Sequence, residues 1–135
     1  MRNSRYRLTR LMMVIDAIVV TLVGVLLIAI PGRVLPGYSV DTIDSQMQVL
    51  ITYFALALVG LGIHAATTSR YAGDPAFRRT TLLSVVIKLL FAFSLSRPNG
   101  LFQDAAYAFA IENGLFALLF LVTLPIKSIG YKEEK

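Results

Sequence analysis

The chain has 135 residues, 56% of them hydrophobic, and a formal net charge of +5; its mean hydropathy is +0.70. That balance excludes an ordinary soluble domain and marks an integral membrane protein. The absence of cysteine excludes disulfides and thiolate metal or redox centres, and a single histidine argues against a zinc site.

Four apolar segments, residues 11–30, 49–66, 80–96 and 105–124, approach or match the roughly 17–25 residues that cross a bilayer as helix. They predict an all-α, polytopic membrane protein, a four-transmembrane-helix up-down bundle forming one domain over residues 1–135. The opening MRNSRYRLTR and the apolar run after it have the outline of a secretory leader. The run is long, contains Asp16 and ends at IPGR without a small-residue cleavage pattern, so it is read as a retained first span.

The first connection, residues 31–46, carries two Pro-Gly turns and then Asp41 and Asp44, placed to cap the second helix. Small residues in that helix, Gly60, Gly62, Ala65 and Ala66, predict close packing on two neighbours, with Gly62 and Ala66 in small-xxx-small spacing. In the second connection, residues 67–79, Gly73-Asp74-Pro75 is a turn signal and Pro75 suits the start of a helical turn. RPNG at 97–100 is short and makes the last two spans an antiparallel hairpin. Ala105, Ala106, Ala108 and Ala110 supply close-packing positions on the fourth span, with Phe102, Phe109, Phe116 and Phe120 as bulk for packing or lipid contact. The tail GYKEEK is polar and reads as solvated.

The basic residues explain the net charge by their placement. Arg2, Arg5, Arg7, Arg10, Arg70, Arg78, Arg79, Lys127, Lys132 and Lys135 fall on one side of the predicted spans, against Arg33 and Arg97 on the other. The positive-inside rule then predicts both termini and the 67–79 connection in the cytosol, with no nucleic-acid partner required. The remaining cation, Lys88, stands inside the apolar run SVVIKLLFAF.

A charge at membrane depth costs about 2.5–3.5 kcal/mol on insertion scales and points to function. At 1.5 Å per residue, Asp16 lies about 8 Å from the inner boundary, Lys88 about 12 Å and Glu112 about 18 Å, so a lysine reaches either acid. One cation cannot balance two carboxylates in a low-dielectric interior. Asp16 and Lys88 are therefore expected to form the ion pair, with Glu112 holding a proton. Two carboxyls in different protonation states suit acid–base catalysis, and equally a proton-coupled carrier.

Helical spacing assigns each polar group a face: Thr81, Ser84 and Lys88 on the third span, Tyr53, Ala57, Gly60 and His64 on the second, Ala105, Ala108 and Glu112 on the fourth. Turned together, these faces predict a mostly apolar cavity lined by Tyr53, Gly60, Lys88, Glu112 and Asn113, with His64 and Ser84 as further substrate-binding positions. Blander placements compete: Asp16 pairing with Arg10 or Arg79, Lys88 snorkelling, Glu112 at a subunit interface, His64 and Tyr53 as interfacial residues.

The chemistry predicted for Asp16, Lys88 and Glu112 is cofactor-free proton transfer on a lipophilic molecule, with Glu112 the acid, Asp16 the base and Asn113 orienting water. In size, four-helix topology and buried carboxylates the chain resembles the small integral-membrane hydrolases and cyclases of fungal polyketide and terpenoid pathways, and more broadly the DoxX-like four-helix membrane proteins. The first resemblance implies opening of an epoxide by hydrolysis or cyclisation. A proton- or cation-coupled transporter protomer, including a homodimer, and a non-catalytic subunit of a membrane complex are the alternatives; against transport, the sequence shows no inverted repeat or interrupted helix pair.

Overall fold

The computed structural model describes residues 2–35, 42–71, 75–97 and 103–124. Those residues are helical with no strand, in the order α1 (Arg2–Ala29), α2 (Pro31–Val34), α3 (Ser45–Arg70), α4 (Pro75–Leu95) and α5 (Gln103–Thr123). Asp41, Gly73, Asp74, Phe102, the Pro-Asn-Gly of the last turn and the polar tail lie outside the described residues.

Local chemistry sets the helix ends. Pro31 disfavours helical geometry in the residue before it; Ile30 sits at φ −141°, ψ 52°, and α2 starts with the proline at a position that tolerates its missing N–H. Asp44 is extended, and its Oδ1 accepts from Met47 N at 2.7 Å, capping α3. Tyr71 N donates to Thr68 O at 3.1 Å and closes that helix, while α4 begins at Pro75. The helices run beyond the apolar segments because hydropathy marks the lipid-matched part of a helix and not its polar ends.

Among the described residues, three helical segments are long and apolar enough to cross a membrane: Tyr6–Ala29, Ser45–Arg70 and Gln103–Thr123. The shortest, at 21 residues, rises about 31 Å, close to the roughly 30 Å hydrocarbon thickness. Helix α4 has the same length, yet every 18-residue window along it contains Arg78, Arg79 and Lys88 and so exceeds the charge expected of a span.

Helix α1 packs most extensively on α3, and α4 on α5; α1 also meets α5, whereas α3 and α4 touch only sparsely. The buried face of α1, Tyr6, Thr9, Met13, Asp16, Val20, Gly24 and Leu27, advances by threes and fours, the spacing of near-parallel helix packing. Glycine sets the α1–α3 distance. A Cβ on Gly24 would stand 2.7 Å from Ala55 O, and one on Gly62 would collide with Thr21 Oγ1 and lie 3.0 Å from Ala17 O. The expected two-sided close packing of α3 is thus one-sided, directed at α1.

Two apolar clusters fill the interior. One, around Leu27, Leu35, Ile51, Leu58 and Phe109, occupies the end near α2; the other, around Tyr6, Met13, Phe77, Phe116 and Phe120, occupies the arginine-bearing end. The polar residues of the interior fall between them: Asp16 between Met13 and Val20, Glu112 and Asn113 between Phe109 and Phe116. Buried hydroxyls turn to backbone carbonyls, as Thr81 does to Phe77 O at 2.7 Å and Thr123 to Leu119 O at 2.8 Å, which removes the cost of an unpaired donor in an apolar setting. Thr9 crosses helices instead, donating to Thr123 O at 2.8 Å and joining α1 to α5.

Candidate functional site

Lys88 extends the inward face of α4 formed by Phe77, Thr81 and Ser84, and is 3% exposed. Its Nζ lies 2.6 Å from Asp16 Oδ1 on α1 and 3.8 Å from Glu112 Oε1 on α5. It also donates to Asn113 Oδ1 at 3.3 Å and stands 5.3 Å from the centroid of the Phe116 ring, within cation–π range. One ammonium thus draws together three helices.

The two carboxyls differ in setting. The Asp16 side chain is 2% exposed and that of Glu112 is 21% exposed. Asp16 Oδ1 and Glu112 Oε1 are buried atoms without a well-aligned hydrogen-bond donor among the described residues, so their contacts with Lys88 are ionic in character. Arg10 and Arg79, the other cations considered for Asp16, are exposed.

Asn113 is fully buried and both ends of its amide are committed: Nδ2 donates to Phe109 O at 2.8 Å while Oδ1 accepts from Lys88. This pattern fixes the amide's orientation, because an ammonium only donates. Holding Lys88 is thus one task of Asn113, and the second N–H and second lone pair of the amide stay open to the water-orienting role expected of it. His64 and Ser84 meet each other across α3 and α4, with His64 Nε2 at 3.1 Å from Ser84 Oγ, and Ser84 lies one turn before Lys88 on the same face.

Tyr53 and Gly60 do not join the site. Tyr53 is 68% exposed, and a Cβ built on Gly60 has nothing within 4 Å. Helix α3 turns Met47, Ile51, Ala55, Leu58 and Gly62 inward, because the glycine-mediated approach to α1 occurs on that side; the Tyr53–Ala57–Gly60 face points out. The expected cavity shared by Tyr53, Gly60, Lys88, Glu112 and Asn113 is replaced by a different one. A pocket of about 290 Å³ lies at the α2 end, lined by apolar side chains that include Leu35, Phe54, Leu95, Ala105 and Phe109. Phe54 and Phe109 meet edge to face in its wall, with ring centroids 5.1 Å apart. None of the charged residues lines it; Phe109, through its carbonyl and Asn113, is the link between pocket and charges.

Sequence reasoning missed this pocket and Gly24. A glycine in LVGV and the phenylalanines of neighbouring helices were visible signals, but only the α1–α3 contact and the sparse α3–α4 contact give them meaning. No group of three His, Asp or Glu side chains able to hold a metal occurs among the described residues. Comparison with protein-family models, curated proteins and solved structures finds no match to this chain. The arrangement is therefore read from its own chemistry: a mid-depth cluster with one cation, two carboxyls and a committed amide can hold and exchange a proton.

Proposed function

We propose that the chain is a membrane protein of four antiparallel spans, with both termini and the 67–79 connection in the cytosol, that carries out acid–base chemistry on a lipophilic small molecule. The uneven placement of arginine and lysine supports the topology. Pairing of Lys88 with Asp16 supports α4 as a span, since a neutralised lysine costs far less in lipid than a free one.

The observation that carries the chemistry is one ammonium serving two carboxyls of unequal exposure. With Asp16 and Lys88 as the close pair, Glu112 is the group left to hold a mobile proton. The apolar pocket supplies a place for a lipophilic body. Epoxide hydrolysis, the reaction implied by the resemblance to small membrane hydrolases, balances on these residues. Water attacks a ring carbon and passes a proton to Asp16 as the C–O bond breaks, and the ring oxygen takes the proton of Glu112. Transfer from Asp16 to Glu112 then resets the site.

The test is turnover of a panel of lipophilic epoxides by protein in nanodiscs. Glu112→Gln and Asp16→Asn are each expected to lower turnover at least about 100-fold, the lower end of the range of general acid–base effects. Activity retained in Glu112→Gln, or no turnover across the panel, sinks the hydrolase reading. A proton-coupled carrier is the second reading, favoured by the separation of pocket and charges; its signature is substrate-dependent proton uptake into proteoliposomes that Glu112→Gln abolishes.

A further inference from the structure

Hydrogen-bond direction along α4 points to a route for protons. Ser84 Oγ donates its single proton to Thr80 O at 3.0 Å. With the hydroxyl proton so placed, the Nε2–H tautomer of His64 donates to Ser84 Oγ across 3.1 Å; with that proton turned to His64 Nε2 instead, Ser84 is the donor of the same contact. This side-chain bridge joins α3 and α4 where those helices otherwise barely touch. His64 is half-buried and six residues from Arg70, about 9 Å from the arginine-bearing end of α3 by helical rise. Beyond Ser84, Lys88 follows one turn later on the same face, with side-chain bases about 5–6 Å apart, a gap that one water spans.

We propose that His64, through Ser84, conducts protons between the arginine-bearing end and the Asp16–Lys88–Glu112 cluster, a relay that rests on the reading of Glu112 as the proton-holding group. Nδ1 of His64 takes a proton from the aqueous side as Nε2 gives its own to Ser84 Oγ. Ser84 releases its original proton, turned away from Thr80 O, through water to the Glu112 carboxylate. The net change is one proton moved and His64 left as the other neutral tautomer, which exchange with water restores. The charged groups on this path are Lys88 from α4, Asp16 from α1 and Glu112 from α5; from α3 the route offers His64 alone.

The experiment is a stopped-flow pH jump on the protein in nanodiscs, following the infrared carbonyl band of a protonated carboxyl that disappears in Glu112→Gln. His64→Gln is the deciding variant, since its amide still donates to Ser84 but cannot pass a proton. The relay expects at least tenfold slower equilibration in His64→Gln and in Ser84→Ala, with an unchanged end point, and recovery when imidazole is added to His64→Ala. A rate within twofold of wild type in His64→Gln overturns the relay and leaves a latch between α3 and α4. Absence of any band lost in Glu112→Gln overturns the relay together with the proton-holding reading beneath it.

Discussion

Replacing Lys88 with methionine keeps an unbranched side chain only one atom shorter and removes its charge, which isolates what the ammonium does. With an effective dielectric constant near 20, its attraction is about 6 kcal/mol for Asp16 at 2.6 Å and about 4 kcal/mol for Glu112 at 3.8 Å if both are ionised. Desolvation of the ions offsets much of this, at several kcal/mol each. The intact pair is therefore worth little beyond an apolar equivalent, whereas breaking it strands the Asp16 carboxylate at 2% exposure. We expect Lys88→Met to lose about 3–5 kcal/mol, the usual cost of an orphaned buried charge. Adding Asp16→Leu should return most of it, whereas adding Glu112→Gln should return little, because Glu112 is read as neutral. Pulse proteolysis across an SDS titration in mild detergent measures each variant. The reasoning is refuted if Lys88→Met lies within about 1 kcal/mol of wild type, or if the Lys88→Met/Asp16→Leu protein is no more stable than the single variant.

The glycines give a sharp contrast under the same assay. Gly62→Ala and Gly24→Ala should each cost about 1–3 kcal/mol, since the added methyl meets Thr21 or the Ala55 carbonyl, while Gly60→Ala, facing open space, should be neutral or stabilise by up to about 1 kcal/mol through helix propensity. Asn113→Leu removes one of the three partners of the Lys88 ammonium and should cost about 1.5–3 kcal/mol; a loss below about 0.5 kcal/mol would show that the amide does not hold the lysine. Thr9→Val deletes the α1–α5 hydrogen bond to Thr123 O and should cost about 0.6 kcal/mol, typical of such bonds in membrane proteins, with faster hydrogen exchange confined to the arginine-bearing ends of those helices.

Much of the charged site was legible because membrane-depth charges are few and costly. Asp16, Lys88 and Glu112 could be singled out from hydropathy alone, and comparing their depths along antiparallel helices made the Asp16–Lys88 contact an expectation. Asn113 was found through its place beside Glu112, and the structure adds its contact with Lys88. Tyr53 and Gly60 were misplaced because a polar or small face is a weak pointer in lipid. Tyrosine also belongs at an interface, and glycine at position 60 has no neighbour to admit.

Sequence by itself determined the four long helical segments, the stop and start signals at Pro31, Asp44 and Pro75, and the identity of the buried charges, since caps, proline sterics and the cost of charge in hydrocarbon are local properties; the short α2 inside the first connection and the full helix lengths came from the structure. Only the tertiary structure decided which face of each helix turns inward, which helices are neighbours, and that the apolar pocket lies away from the charges. The reason is physical. Residues facing lipid are as apolar as those facing the core, as Leu50, Ile63, Leu90 and Ile111 on the outer surface demonstrate, so hydrophobic periodicity carries little orientation. Orientation comes instead from how closely backbones approach at Gly24 and Gly62, and from where one lysine finds its partners.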